Sequence, residues 1–98
     1  MHARKTVFRT APENVETAAK VFREEVLPAA RTLAGFKGGV ALADRTTGDL
    51  VSFTLWESEE AMNASAEAAN RLRAEALDKI GAQEPPDVHQ YEVVVWEA

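Results

Sequence analysis

The stretch Leu50 to Met62, LVSFTLWESEEAM, restricts the fold of this chain more than any other. Its first half alternates, with Val51, Phe53 and Leu55 on one side and Ser52 and Thr54 on the other. That two-residue period is the signature of a strand with one apolar face. The alternation ends at Trp56, and Ser58-Glu59-Glu60 reads as a helix start. A serine hydroxyl takes one of the backbone N–H groups that a first turn leaves unpaired, and acidic residues suit the positive end of the helix dipole. A strand that feeds straight into a helix, midway along a chain whose two halves look alike, points to a repeated β-α-β plan.

The flanking segments agree. Arg4 to Arg9 reads as a first strand, with β-branched and aromatic residues at its centre. A helix is expected from Pro12 to Ala34. Thr10 and Glu13 have capping-box spacing, Pro12 fits the first turn, and Gly35 stops the helix. Val15, Ala18, Phe22, Val26, Ala30 and Leu33 form its buried stripe. Pro28 removes a hydrogen bond to Glu24 and crowds that carbonyl, which predicts a kink.

A second strand spans Phe36 to Asp44, with Phe36, Val40 and Leu42 on one face and Lys37, Ala41 and Ala43 on the other. Gly38 and Gly39 within it predict a bulge or the close approach of another backbone. Thr46 to Asp49 makes a hairpin turn. The second helix runs from Ser58 to Ile80, with a thin stripe of Met62, Ala66, Ala69, Leu72, Ala76 and Ile80, and Gly81 stops it. Pro85-Pro86 places Gln83 to Asp87 in a loop. His89 to Trp96 is the last strand, and its Val93-Val94-Val95 run predicts burial on both faces.

The order is that of a ferredoxin-like β-α-β-β-α-β fold, α+β, with a four-stranded antiparallel sheet and one domain over residues 1–98. Two helices cover one face of such a sheet. By alternation the other face holds some of Ala41, Ala43, Ser52, Thr54, Trp56, Val94 and Trp96, which is too apolar for water. A second identical chain is the expected cover, so a homodimer is anticipated, against the alternative of a monomer with an apolar sheet surface. A chain of 98 residues buries a modest share of its surface and gains from association.

Composition removes several function classes. The net charge is −5 and no basic cluster forms, so no nucleic-acid partner is expected. The absence of cysteine excludes disulfides, thiolate nucleophiles and Cys-type metal sites. No apolar run reaches membrane-spanning length and no signal-like region follows Met1, so the expectation is a soluble, cytoplasmic protein without a membrane partner.

Two segments resemble the antibiotic biosynthesis monooxygenase-like domains of the dimeric α+β barrel superfamily. Leu33-Ala34-Gly35-Phe36, followed by Gly38-Gly39, resembles that family's helix-to-strand "PGF" junction, with Ala34 where proline is common. Phe53-Thr54-Leu55-Trp56-Glu57-Ser58-Glu59-Glu60-Ala61 resembles its strand-to-helix "WES.EA" signature. The haem-degrading branch pairs such a tryptophan with an asparagine on the first strand and a histidine on the second helix. Trp56 matches; the other two are missing, and His2 and His89 lie elsewhere.

The quinol-oxidising branch needs no cofactor, neither metal nor flavin. The resemblance to it implies a monooxygenase acting on a small aromatic or quinol-like ligand in a sheet–helix pocket. Trp56, Asn63 and His89 are the candidate catalytic residues: an indole to stack or donate, an amide to orient a substrate oxygen, and an imidazole as general base. Phe22, Met62 and Tyr91 are candidate substrate contacts, and no metal ligands are expected. Each has a plainer reading, as core, solvated or interface residue. Trp56 shares parity with Ser52 and Thr54, so either the pocket uses that face or the strand twists at its end. The alternative function is a non-catalytic, small-molecule-binding homodimer of the same fold.

Overall fold

The computed structural model describes residues 1–81 and 85–97; the Gln83 and Glu84 part of the expected loop lies outside the described residues. Four strands form one antiparallel sheet: β1 (His2–Arg9), β2 (Phe36–Ala43), β3 (Asp49–Trp56) and β4 (Asp87–Glu92), in spatial order β2-β3-β1-β4. This is the expected ferredoxin-like arrangement. β1 lies centrally, pairing Thr6 with Ser52 of β3 on one side and with Val88 of β4 on the other.

The first helical segment opens with a 3-10 turn at Pro12–Asn14 and continues as α1 (Val15–Val21), a π turn (Phe22–Val26) and α2 (Leu27–Ala30). Pro12 begins it as expected, but the capping box does not form. Ala11 is the N-cap, and the Thr10 hydroxyl instead accepts from Asn14 Nδ2 at 3.1 Å. In place of a simple kink at Pro28, the chain widens by one residue just upstream. Pro28 then falls in the first turn of α2, where a missing N–H costs nothing.

The second helical segment is also interrupted. α3 (Glu59–Ala64) starts as the sequence predicts, with Ser58 Oγ accepting from the Ala61 N–H at 3.1 Å. It breaks at buried Ser65, whose hydroxyl donates to the Met62 carbonyl at 2.6 Å, and α4 (Ala66–Ile80) follows. Such back-bonding by serine competes with the helical ladder and bends it. α1 packs against α4, and Val15, Ala18, Val21, Leu50, Ala76 and Ile80 form the core.

Two junctions lock together. Gly35 sits at φ +81°, and a Cβ there would lie 2.5 Å from the Ala61 Cβ. Its carbonyl accepts the Glu57 N–H at 2.7 Å. The glycine after the first helix is thus held against the start of the second. β2 carries a register irregularity between Phe36 and Gly38. At Gly39 the nearest approach is by a side chain and not by another backbone: a Cβ there would lie 2.7 Å from Leu27 Cδ2, and 3.3 Å from the Phe53 carbonyl oxygen of the paired strand.

The faces of the sheet are the reverse of those expected. Ala41, Ala43, Leu50, Ser52, Thr54 and Trp56 turn toward the helices, with Thr6 and Arg4 of β1. Val40, Phe53, Leu55 and Tyr91 lie on the open side. Strand periodicity fixes which residues share a face but not which face the helices cover. Here the helices bring their own apolar stripe, so the sheet side beneath them carries hydroxyls. The irregularity in β2 also moves Phe36 off the face of Val40 and Leu42 and opposite Trp56.

The last strand stops at Glu92, four residues short of the expected Trp96. The tail continues across the open side, and Val94 and Val95 are more than four-fifths exposed in the single chain, so the double burial expected of that run is absent. No described helix is long and apolar enough to cross a membrane.

Candidate functional site

Between sheet and helices lies a cavity of about 420 Å³, within the range that holds small organic ligands. β1 and β3 supply its polar floor, with Thr6, Ser52, Thr54 and Trp56. Phe22 and Val26 of the π turn and Leu72 and Ala76 of α4 supply apolar walls. Alanines at 41, 43, 69 and 76 leave the space that larger side chains would fill.

Trp56 anchors one end. It is 1% exposed, and its indole Nε1–H donates to Thr54 Oγ1 at 3.0 Å, two residues back on the same strand face. The Phe36 ring meets it edge-on, with centroids 5.4 Å apart. The Arg4 guanidinium lies 5.8 Å from the indole centroid, a cation–π distance. Arg4 is 5% exposed. Its Nη2 donates to the Met62 carbonyl at 2.9 Å and to Ser65 Oγ at 3.2 Å, bracing the break between α3 and α4.

Arg73 reaches the same cavity from α4, with Nη1 donating to Asn70 Oδ1 at 2.8 Å. Burial lowers the pKa of Arg4, and the positive charge of Arg73 lowers it further; burial alone lowers that of Arg73. Both remain cationic at neutral pH, since guanidinium loses its proton only under strongly alkaline conditions. The other charged lining residue, Arg45, is paired with Glu16 at 2.6 Å near the surface.

Of the residues singled out from sequence, Trp56 and Phe22 line this cavity. Met62 is buried beside it and contributes its carbonyl to Arg4, but not its side chain to the lining. Asn63 is exposed on α3. His89 and Tyr91 lie on β4 with ring centroids 6.4 Å apart, on the open side of the sheet. The lining therefore brings two of the six together. Among the described residues no cluster of three or more His, Asp or Glu side chains gathers in a way that would hold a metal ion.

Sequence reasoning passed over Arg4, Arg73 and Thr54. Two signals were present. Arg4 alternates with Thr6 and Phe8 on one strand face, and Arg73 falls four residues after Ala69 and three before Ala76, inside the buried stripe. A charged residue at a stripe position is uncommon unless it has work to do there.

No family model matches the chain. Among curated proteins it is similar to an uncharacterized protein of Mycobacterium tuberculosis (strain H37Rv), 30% identical over 93 residues. The match covers 95% of this chain but 41% of that relative, so the chain spans well under half of its length. Among solved structures it is similar to a monooxygenase of Streptomyces coelicolor in complex with nanaomycin D. There the TM-score is 0.78 at 18% identity, covering 99% of this chain and 92% of the other. It also resembles an antibiotic biosynthesis monooxygenase, with TM-score 0.69 at 16% identity over 97% and 100% of the two chains. A dimeric ferredoxin-like protein from an uncultured marine organism gives 0.70 at 14% identity over 99% and 90%. At these identities the likeness is one of fold: the chain has the ferredoxin-like fold that these structures share.

Proposed function

We propose that this protein is a monooxygenase that uses neither metal nor flavin and oxidises a small, flat aromatic or quinol-like molecule in the sheet–helix cavity. The observation that carries the reading is the cavity itself: apolar walls over a hydroxyl-bearing floor, closed at one end by a buried tryptophan. Such a site excludes water and orients a planar ligand by stacking. Thr54 accepts the indole N–H of Trp56, which leaves its own hydroxyl proton free to donate to a substrate oxygen.

In the proposed reaction a reduced phenol or anthrone loses a proton from carbon, and the carbanion passes electrons to dioxygen. One oxygen atom becomes the new carbonyl and the other leaves as water. The ionised side chains that line the cavity are all arginines, which favour the carbanion or phenolate form of the substrate. His89 and Asn63 stand outside this lining, so the reading gives them no contact with substrate within one chain.

The active form in this reading is a homodimer in the cytoplasm. In one chain the open sheet side leaves Val40 and Tyr91 about half exposed, and the tail adds Val94, Val95 and Trp96. A second copy laid across this side would cover them.

Oxygen uptake with anthrone or dihydroxyanthracene tests the reaction. The expected result is consumption above the buffer rate, lost in Trp56→Ala while the fold persists. Buffer-level rates across a panel of such substrates would overturn it. A second reading, a non-catalytic binding homodimer, draws on the lack of a carboxylate or imidazole base in the described lining. Ligand-induced thermal stabilisation without turnover would select it.

A further inference from the structure

The cavity holds more positive charge than the fold needs. Arg4 and Arg73 both line it, and among the described residues neither meets a carboxylate. Both side-chain hydrogen bonds of Arg4 run through Nη2, so its Nε and Nη1 donors have no protein partner among the described residues. Yet those atoms are not sealed: the one fully buried, unpartnered side-chain nitrogen or oxygen among the described residues is His2 Nδ1. These donors keep some accessible surface, and Arg4 stands in the cavity wall. Arg73 uses Nη1 on Asn70 and keeps its remaining donors.

A structural role for Arg4, bracing the Met62–Ser65 turn, accounts for one nitrogen of its guanidinium. It does not account for a second cation directed at the same space. Two like charges sharing a low-dielectric pocket repel, and burying either without a counter-ion is unfavourable. Arg45 shows the ordinary solution on this same protein, since it is paired with Glu16 at the surface. An arriving anion would relieve both the repulsion and the unused donors, because guanidinium forks match carboxylate oxygens in bidentate geometry.

We infer that the ligand of this cavity is an aromatic acid whose carboxylate is taken by Arg4 and Arg73 while its ring lies beside Trp56 and Phe22. This inference rests on the reading of the cavity as the ligand site and adds the chemical class of the ligand. Arg73 is the specificity-determining residue, because it is the cation without a bracing role.

Isothermal titration of the full chain with 2-naphthoate and with 2-naphthamide separates the possibilities. The two probes share the ring and differ in the anion. The expected result is naphthoate binding about tenfold or more tightly than the amide, with the preference abolished in Arg73→Gln and partly kept in Arg73→Lys. Naphthoate affinity should also weaken as salt is raised, while amide affinity holds. Equal affinity of the two probes would overturn the anion inference and leave the aromatic cavity standing. A preference undiminished in Arg73→Gln would likewise overturn it. Failure of both probes, with anthrone oxidation intact, would discard the acid alone; failure of both together with absent oxidation would discard the cavity as ligand site as well.

Discussion

Replacing Gly35 by alanine tests how the two halves are joined. Gly35 at φ +81° lies in the left-handed region, where a β-carbon costs about 1–2 kcal/mol. The added methyl would also sit 2.5 Å from the Ala61 Cβ, well inside the roughly 3.5–4.0 Å at which carbon atoms pack. Overpacking of this kind typically adds about 1–3 kcal/mol. The backbone cannot simply retreat, because the Gly35 carbonyl is bonded to the Glu57 N–H at 2.7 Å. The expected loss is therefore about 2–5 kcal/mol in urea unfolding, read from the midpoint at constant slope.

The companion variant Ala61→Gly removes the opposing methyl. Alone it should cost about 1 kcal/mol in helix propensity. In the double variant it should restore the steric share of the Gly35→Ala loss but not the backbone share. A positive coupling of at least about 1 kcal/mol is expected from this cycle. A Gly35→Ala protein within about 0.5 kcal/mol of the wild type, or a cycle with no coupling, would refute the interlock.

Three further outcomes follow from the geometry. Thr54→Val removes the acceptor of the buried Trp56 indole and should cost about 1–3 kcal/mol in thermal or urea unfolding, although the side-chain shape barely changes. Ser58→Ala deletes the hydroxyl that holds the Ala61 N–H and should cost about 1 kcal/mol, with Ser58→Asp restoring it. Val40→Lys places a charge on the open sheet side, where Val40 is 45% exposed in one chain. Light scattering should find the wild type at twice 10.7 kDa and this variant at 10.7 kDa; a wild type at the smaller mass at every concentration would contradict the homodimer.

The strand order and both junctions were legible because each rests on local chemistry. Ser58 caps its helix as any serine before a first turn would, and Gly38-Gly39 marks the irregularity in β2, whereas the first helix ends at Ala30, short of the expected Ala34, and Gly35 makes the left-handed turn into β2. The orientation of the sheet was not legible. Phe53 and Leu55 look like part of a core face, yet they turn away from the helices, because alternation is symmetric between the two sides. The Val93–Val95 run reads as buried, but a single chain has nothing to place over it.

The cavity was half legible. Trp56 stood out as a large aromatic at the end of a polar strand face, and Phe22 as part of a helical stripe. Their partner Arg4 did not, because its bonds run to the main chain and hydroxyl of a turn 58 to 61 residues away. Arg73 was masked by its neighbour Leu72, which satisfies the same helical spacing. Asn63 and His89 drew attention for their side-chain chemistry, which says nothing about the face on which a residue lands.

The two tryptophans give the most direct measurement of the central claim, that ligand enters between sheet and helices. Trp56 closes the cavity, whereas Trp96 lies in the tail along the opposite side. Proton–nitrogen correlation spectra resolve both indole N–H signals, and Trp96→Phe assigns them. On titration with 2-naphthoate the account expects the Trp56 indole to shift and the Trp96 indole to stay in place. A shift confined to Trp96, or saturable binding that moves neither signal, would contradict it.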